Sequence, residues 1–441
     1  MPKQQKTYSL RQHLIRGASG SLILKIANTA LALIMAVVLA RVLGVKDYGI
    51  YAFCLSLVQI LTVPAALGGP PLLVREVAAY QAKGEYHFLR GLLKRFRQAS
   101  LLASLILVLV AAAIGYAIYQ DSPMLIPFMV AVALIPLHTA MQLQGSALRG
   151  LRHVLLGQAA LTIRPAIVLA IVGALFWLTG KNQGAETALL AQLAASALLV
   201  TLTFILLQKM LPLEVKNAEP ALETSRWVQS ALPFVFASGM QILNNETSVV
   251  LLGILRAPED VGVYRVAQRG AMLIPFGLQA VNMSMGPAVA EMFARGEKKR
   301  LQRMISKSIL AVLAFALPVA LILILGGKWI IPFVFGAEYT SAYVPLVILC
   351  MGQLVNVGMG SVAVILNMAG LERFTARGVA IAAMASILLN FALIPLFGAA
   401  GAAIAASTSL MIWNMLLFIW LYKETGIVST VLPMTLKVSN K

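Results

Sequence analysis

Apolar residues occupy this chain in blocks of about 20 or more, separated by short polar turns. That rhythm is much longer than the alternations of two or 3.6 residues that mark half-buried strands and helices. Blocks long enough for a helix to cross a hydrocarbon layer of ~30 Å fall at 19–43, 50–74, 98–119, 124–148, 154–178 and 186–208, and again at 230–255, 261–285, 305–326, 342–369, 378–397 and 399–421. They predict an all-α polytopic membrane protein with about twelve transmembrane helices and no sheet. The two halves of the series repeat. DYGIY (47–51) after the first span matches DVGVY (260–264) after the seventh, REVAAYQAKGE (75–85) matches PAVAEMFARGE (287–297), and GLRHVLLG (150–157) falls against GLERFTARG (370–378). Six spans per half is an even number, so the halves share one orientation, related by an axis along the membrane normal. The expected organisation is an amphipathic N-terminal segment (1–18), an N-lobe (19–208), a linker (209–229), a C-lobe (230–421) and a C-terminal tail (422–441).

Composition agrees with the pattern. Of 441 residues 60% are hydrophobic and 12% charged, with a mean hydropathy of +0.87, where soluble proteins carry about 25% charged residues. A formal net charge of +19 raises the question of nucleic acid, and its distribution answers it. The termini and one set of loops hold 26 of the 35 Lys and Arg, the opposite turns hold five (Arg41, Lys46, Lys181, Arg256 and Lys328), and four lie within spans. The positive-inside rule then places both termini in the cytoplasm. The basic excess is accounted for by topology and anionic lipid, so nucleic-acid binding is not expected. The loops are too short to host a catalytic domain. Cys54 and Cys350 sit in apolar segments, and His138 and His153 are isolated, so neither a disulfide, a metal site nor a cofactor is expected.

The interior charges carry the candidate chemistry: Lys25, Arg164, Arg265 and Arg269 against a single acid, Glu246. Counted from Pro258, Glu246 and Arg269 lie roughly 17 Å deep at ~1.5 Å per residue. Ionisable groups at that depth are costly and point to a pathway or binding site. Arg265 and Arg269 are four apart and share a helix face, where they would offer an anionic headgroup two rungs. The structural alternative has Arg265 snorkelling to the interface and Arg269 neutralised by Glu246. Glu246 follows Asn244 and Asn245 and is the candidate for coupling to H+ or Na+, or for a static ion pair. Arg164, followed by Pro165, either faces the lumen or packs on a neighbouring helix. Lys25 either serves the site or snorkels, and Asn28, one turn on, would bond a sugar or another helix.

The segments LARVLGVKDYGIYAF (39–53), LLVREVAAYQAKGE (72–85), LRGLRHVLLGQ (148–158), LGILRAPEDVGVYRVAQR (252–269), EMFARGE (291–297) and LLNFALIPLFGAAGAAIA (388–405) together resemble the polysaccharide flippases, the Wzx-type branch of the MOP (MATE-like) exporter superfamily. The resemblance implies two six-helix lobes arranged as a V around a cationic cavity, in a bacterial or archaeal cytoplasmic membrane. Its implied cargo is a polyprenyl-pyrophosphate-linked oligosaccharide, such as an O-antigen, capsule or exopolysaccharide repeat unit, moved between leaflets, with ion coupling and polysaccharide assembly proteins as partners. In such relatives the first two helices of each lobe line the cavity, which puts Lys25, Glu246, Arg265 and Arg269 there. Lipid II flippases of the superfamily typically add two C-terminal helices, which makes lipid II a less expected cargo. A multidrug or metabolite cation antiporter of the same superfamily is the alternative within the class. A membrane-embedded glycosyltransferase or polymerase is the alternative outside it.

Overall fold

The computed structural model describes residues 10–179 and 184–430, with side chains described from residue 24 on except at 283 and 284. The start of the predicted amphipathic segment, Lys181 and the tail beyond residue 430 lie outside the described residues. Every regular element among the described residues is helical. Among the described residues eight helices are long and apolar enough to cross a membrane. Two of them, Leu24–Ala66 with 43 residues and Glu372–Thr425 with 54, would be roughly 65 and 80 Å long if straight, more than twice the ~30 Å to be crossed. Each is broken by a glycine with positive φ, Gly44 at 73° and Gly398 at 54°, a backbone state glycine enters without a Cβ clash. Both breaks fall where the hydrophobic pattern places a turn between spans. The expected seventh and eighth spans correspond to Thr224–Leu255, which carries the Asn244-Asn245-Glu246 run, and to Pro258–Ala271 followed by Phe276–Ala294. The helices are compatible with twelve crossings.

Packing follows membrane rules. Helix Tyr86–Tyr119 buries Ser100, Ser104, Ala111 and Gly115 while exposing Leu101, Leu102, Leu105, Ile106 and Leu109. Small residues let helices approach, and large apolar ones face lipid. A Cβ on Gly115 would lie 2.2 Å from the Phe128 ring.

The chain forms two compact units, one of the residues up to Leu39 with Val58–Gly239, the other of Ala40–Leu57 with the residues from Met240 onward. The first is centred on Leu72, Leu73, Val77, Leu89, Leu92 and Trp227. There the Tyr80 hydroxyl accepts from Trp227 Nε1 at 3.0 Å and donates to Glu223 at 3.1 Å. The second has its core at Val289, Leu301, Ile305, Ile365, Leu366 and Leu421.

Within the second unit the two copies of the repeated motif meet. Built on Gly49, a Cβ would lie 1.8 Å from the Pro258 carbonyl oxygen, and on Gly262 it would lie 2.3 Å from that of Val45. The motif's glycines are therefore required by backbone-to-backbone contact, reciprocally across the repeat. The arginines of these turns serve helix ends. Arg41 donates to the carbonyls of Phe333 and Val334 at the end of Lys298–Phe335, and Arg256 donates to Ile394 and Pro395, just before the Gly398 break, at 3.2 and 2.9 Å. The last carbonyls of a helix lack intrahelical partners, and a cation near them is a suitable one.

Candidate functional site

Helix Pro258–Ala271 starts with Pro258, whose missing N–H costs nothing at that position, and with Glu259 and Asp260 in its first turn, where negative charge suits the helix dipole. The start fixes what comes next, since Arg265 and Arg269 then fall one turn apart on the face turned inward. Arg265 is 5% exposed and Glu246, on the preceding helix, 8%. Arg265 Nη1 lies 3.1 Å from Glu246 Oε2. Ser56 Oγ donates to that same oxygen at 2.6 Å. Arg265 Nη1 also donates to Gln268 Oε1 at 2.7 Å, and Gln268 Nε2 donates to the Asn245 carbonyl at 3.3 Å. The buried charge is thus both paired and hydrogen-bonded, which is what burial of charge demands.

Two points differ from what the residues alone suggest. Arg265 does not snorkel: it is buried on the acid. Glu246 pairs with Arg265 and not with Arg269. Among the described residues no carboxylate pairs with Arg269, whose Nε is buried without a hydrogen-bond partner. The neighbours that act on it electrostatically are Arg265, Tyr48, Glu246 and Tyr51, and it is hydrogen-bonded to the Tyr48 side chain. One acid and two arginines leave a net positive centre with one arginine uncommitted to an acid. In a medium of low dielectric such a centre attracts an anion more strongly than the same group would in water.

Asn244 Nδ2 reaches the Val379 carbonyl at 3.5 Å, an edge-of-range contact. The other expected residues belong to the first unit. Arg164 Nη1 lies 3.2 Å from His138 Nε2, Lys25 is partly buried and its carbonyl accepts from the Thr29 hydroxyl at 2.9 Å, and Asn28 is partly buried. Among the described residues no group of three or more His, Cys, Asp or Glu could hold a metal ion.

Ser56, Tyr48 and Gln268 were not singled out by the sequence. The repeat held a signal for the first: at its offset of 213 residues, Ser56 is the counterpart of Arg269. The position that carries the arginine without an acid partner among the described residues in one copy carries the acid's hydroxyl partner in the other.

Comparison with known proteins identifies the family and the fold. Residues 14–293 match the model of a family described as polysaccharide biosynthesis protein. The chain is 28% identical over 361 residues to a probable low-salt glycan biosynthesis flippase, Agl15, of Haloferax volcanii, covering 79% of this chain and 71% of that one. Among solved structures it is similar to the lipid II flippase MurJ in an inward closed conformation, at a TM-score of 0.69 and 14% identity over 90% of this chain and 87% of that one. It is likewise similar to an inward-facing MATE family multidrug resistance transporter of the MOP superfamily, at a TM-score of 0.70 and 12% identity over 89% and 93%. At those identities the likeness establishes the fold, which is that of MOP superfamily transporters.

Proposed function

The chain belongs to the polysaccharide biosynthesis protein family, and from that premise we propose that it is a flippase that carries a polyprenyl-pyrophosphate-linked oligosaccharide from the cytoplasmic to the outer leaflet of a prokaryotic cytoplasmic membrane by alternating access. The observation that carries the reading is the division of labour between the two arginines. Arg265 is neutralised by Glu246 at 3.1 Å, whereas Arg269 has no acid partner among the described residues and keeps a buried N–H unsatisfied. An anionic headgroup supplies what that site lacks, with Tyr48 as a second hydrogen-bonding group beside it. A cation exporter requires the opposite arrangement, an acid left free to attract cargo, and here the acid is consumed by Arg265 and Ser56.

Glu246 is the candidate for coupling. A proton on it would remove Arg265's counter-charge and weaken the bond from Ser56, loosening both partners at once. Glu246→Gln is therefore expected to bind cargo while losing flipping driven by an ion gradient; unchanged driven transport would remove the coupling role. The function is tested by mass spectrometry of lipid-linked intermediates in cells lacking the chain. Accumulation of a prenyl-pyrophosphate oligosaccharide, reversed by the wild-type chain and not by Arg269→Gln at equal protein level, is the expected result. Full rescue by Arg269→Gln would remove the headgroup role.

A further inference from the structure

Next to the charged centre, on the far side of Gln268, the second unit holds a cavity of about 150 Å³. Its lining is unusual for a membrane interior. Five carboxamides, Gln241, Asn244, Asn245, Gln268 and Gln353, converge on it, with the rings of Tyr264 and Trp413 and the hydroxyl-bearing Ser407 and Ser409. No acid and no base lines it, so neither a metal cation nor the pyrophosphate itself is its natural occupant. Amides that offer both donors and acceptors, beside aromatic faces, suit a neutral ligand rich in hydroxyls and carrying C–H faces. Two of the groups are unsatisfied. Ser409 is 5% exposed, and its Oγ has no hydrogen-bond partner. Trp413 Nε1 is buried without one as well. Buried polar atoms are nearly always paired, and here two residues of the lining, Ser409 and Trp413, each keep one buried polar atom without a partner. The volume matches roughly five waters at ~30 Å³ each, close to one sugar ring.

Position adds the second half of the argument. Tyr264, Gln268 and Met272 face the cavity, while Arg265 and Arg269 on the same helix form the charged centre. Gln268 touches both: its Oε1 accepts from Arg265, and its Nε2 donates toward Asn245 at the cavity wall. A pyrophosphate and the sugar esterified to it are joined by one bridging oxygen, so a headgroup on Arg269 delivers its first sugar within about one helical turn, ~5.4 Å.

We propose that this cavity is a sugar subsite that receives the ring directly attached to the pyrophosphate, with Gln353, Ser409 and Trp413 as specificity-determining contacts. This rests on the flippase reading. Discrimination by such a site is strong in one direction: a ligand without the hydroxyls leaves the buried amides unpaired.

The test uses the purified full-length protein with two probes, farnesyl pyrophosphate, which bears no sugar, and the lipid-linked oligosaccharide extracted from cells lacking the chain. Ser409→Ala and Gln353→Leu, each checked for an unchanged melting temperature, are expected to weaken binding of the glycosylated probe about five- to tenfold, the effect of one lost hydrogen bond. Farnesyl pyrophosphate should bind them as it binds wild type. Unchanged affinity for both probes, or equal loss of both, overturns the subsite. Wild-type protein that binds neither probe overturns the flippase reading and the subsite with it, while wild type that binds both with normal variants removes the subsite alone.

Discussion

Glu246→Gln isolates the energetic consequence of the buried ion pair. The substitution preserves shape and leaves Arg265, 5% exposed, without the counter-charge 3.1 Å away. Breaking a buried pair by removing one partner costs about 3–5 kcal/mol, chiefly because the remaining charge stays desolvated. Ordinary polar pairs between membrane helices contribute only about 0.6 kcal/mol on average, so the two explanations differ severalfold. For a unit of roughly 200 residues, about 2–4 °C of melting temperature is lost per kcal/mol, which puts the expected fall near 10 °C. The assay is thermal unfolding of detergent-solubilised protein followed by tryptophan fluorescence, with Arg265→Met and the double variant completing the cycle. Arg265→Met alone leaves Glu246 buried and should fall comparably. The double variant removes both charges and should recover most of the loss. A fall of only a degree or two for Glu246→Gln, or additive losses in the double variant, would refute the claim that the pair is mutually compensating.

Three further outcomes follow from other contacts. Gly49→Ala and Gly262→Ala each place a methyl within 1.8 to 2.3 Å of a carbonyl oxygen, an overpacking worth about 1–3 kcal/mol; a melting temperature equal to wild type would show that the two motif copies do not need this approach. Tyr80→Phe removes the acceptor for Trp227 Nε1 and the donor to Glu223 and should cost about 1–3 kcal/mol by orphaning the indole N–H, checked by denaturation and by increased accessibility of Trp227 to a quencher. Asp260, which opens the motif in the first turn of helix Pro258–Ala271, has its carboxyl raised above its ordinary value of 3.8 by burial, which outweighs the nearby Arg256. The folded state therefore holds that proton more tightly than the unfolded chain, so this group's stabilising contribution is present below 3.8 and is lost as pH rises through the raised value; Asp260→Asn should flatten that limb of the stability profile, and an unaltered limb would assign it elsewhere.

Much of the architecture was legible because lipid imposes coarse rules. A helix must stay apolar for about 20 residues, so the spans, the turns at Gly44 and Gly398 and the twofold repeat could be taken from spacing alone. The deep charges were legible for the same reason, since each violates that rule. Their pairing was not. Spacing puts Arg265 and Arg269 on one face but leaves open which meets Glu246, because that depends on how the Thr224–Leu255 and Pro258–Ala271 helices are staggered and on a hydroxyl, Ser56, nearly 200 residues away. The structural alternative offered by the sequence paired Glu246 with Arg269, which lies about equally far from the turn. The structure favours Arg265, one turn shallower, since an arginine reaches along its helix. The cap roles of Arg41 and Arg256 were hidden as well. On the charge ledger they were only exceptions to a topological bias, and the carbonyls they serve lie more than 130 residues away in sequence.

The central claim is that this chain moves a lipid-linked glycan across a membrane by way of Arg269. Its most direct measurement is leaflet exchange in vesicles reconstituted with the purified protein and the lipid-linked oligosaccharide, followed with a membrane-impermeant reagent that modifies only glycans on the outer leaflet. The account predicts that wild-type protein exposes the inner pool and Arg269→Gln leaves it sealed. Exchange at the protein-free rate with wild type under every imposed ion gradient, or equal exchange by Arg269→Gln, would contradict it.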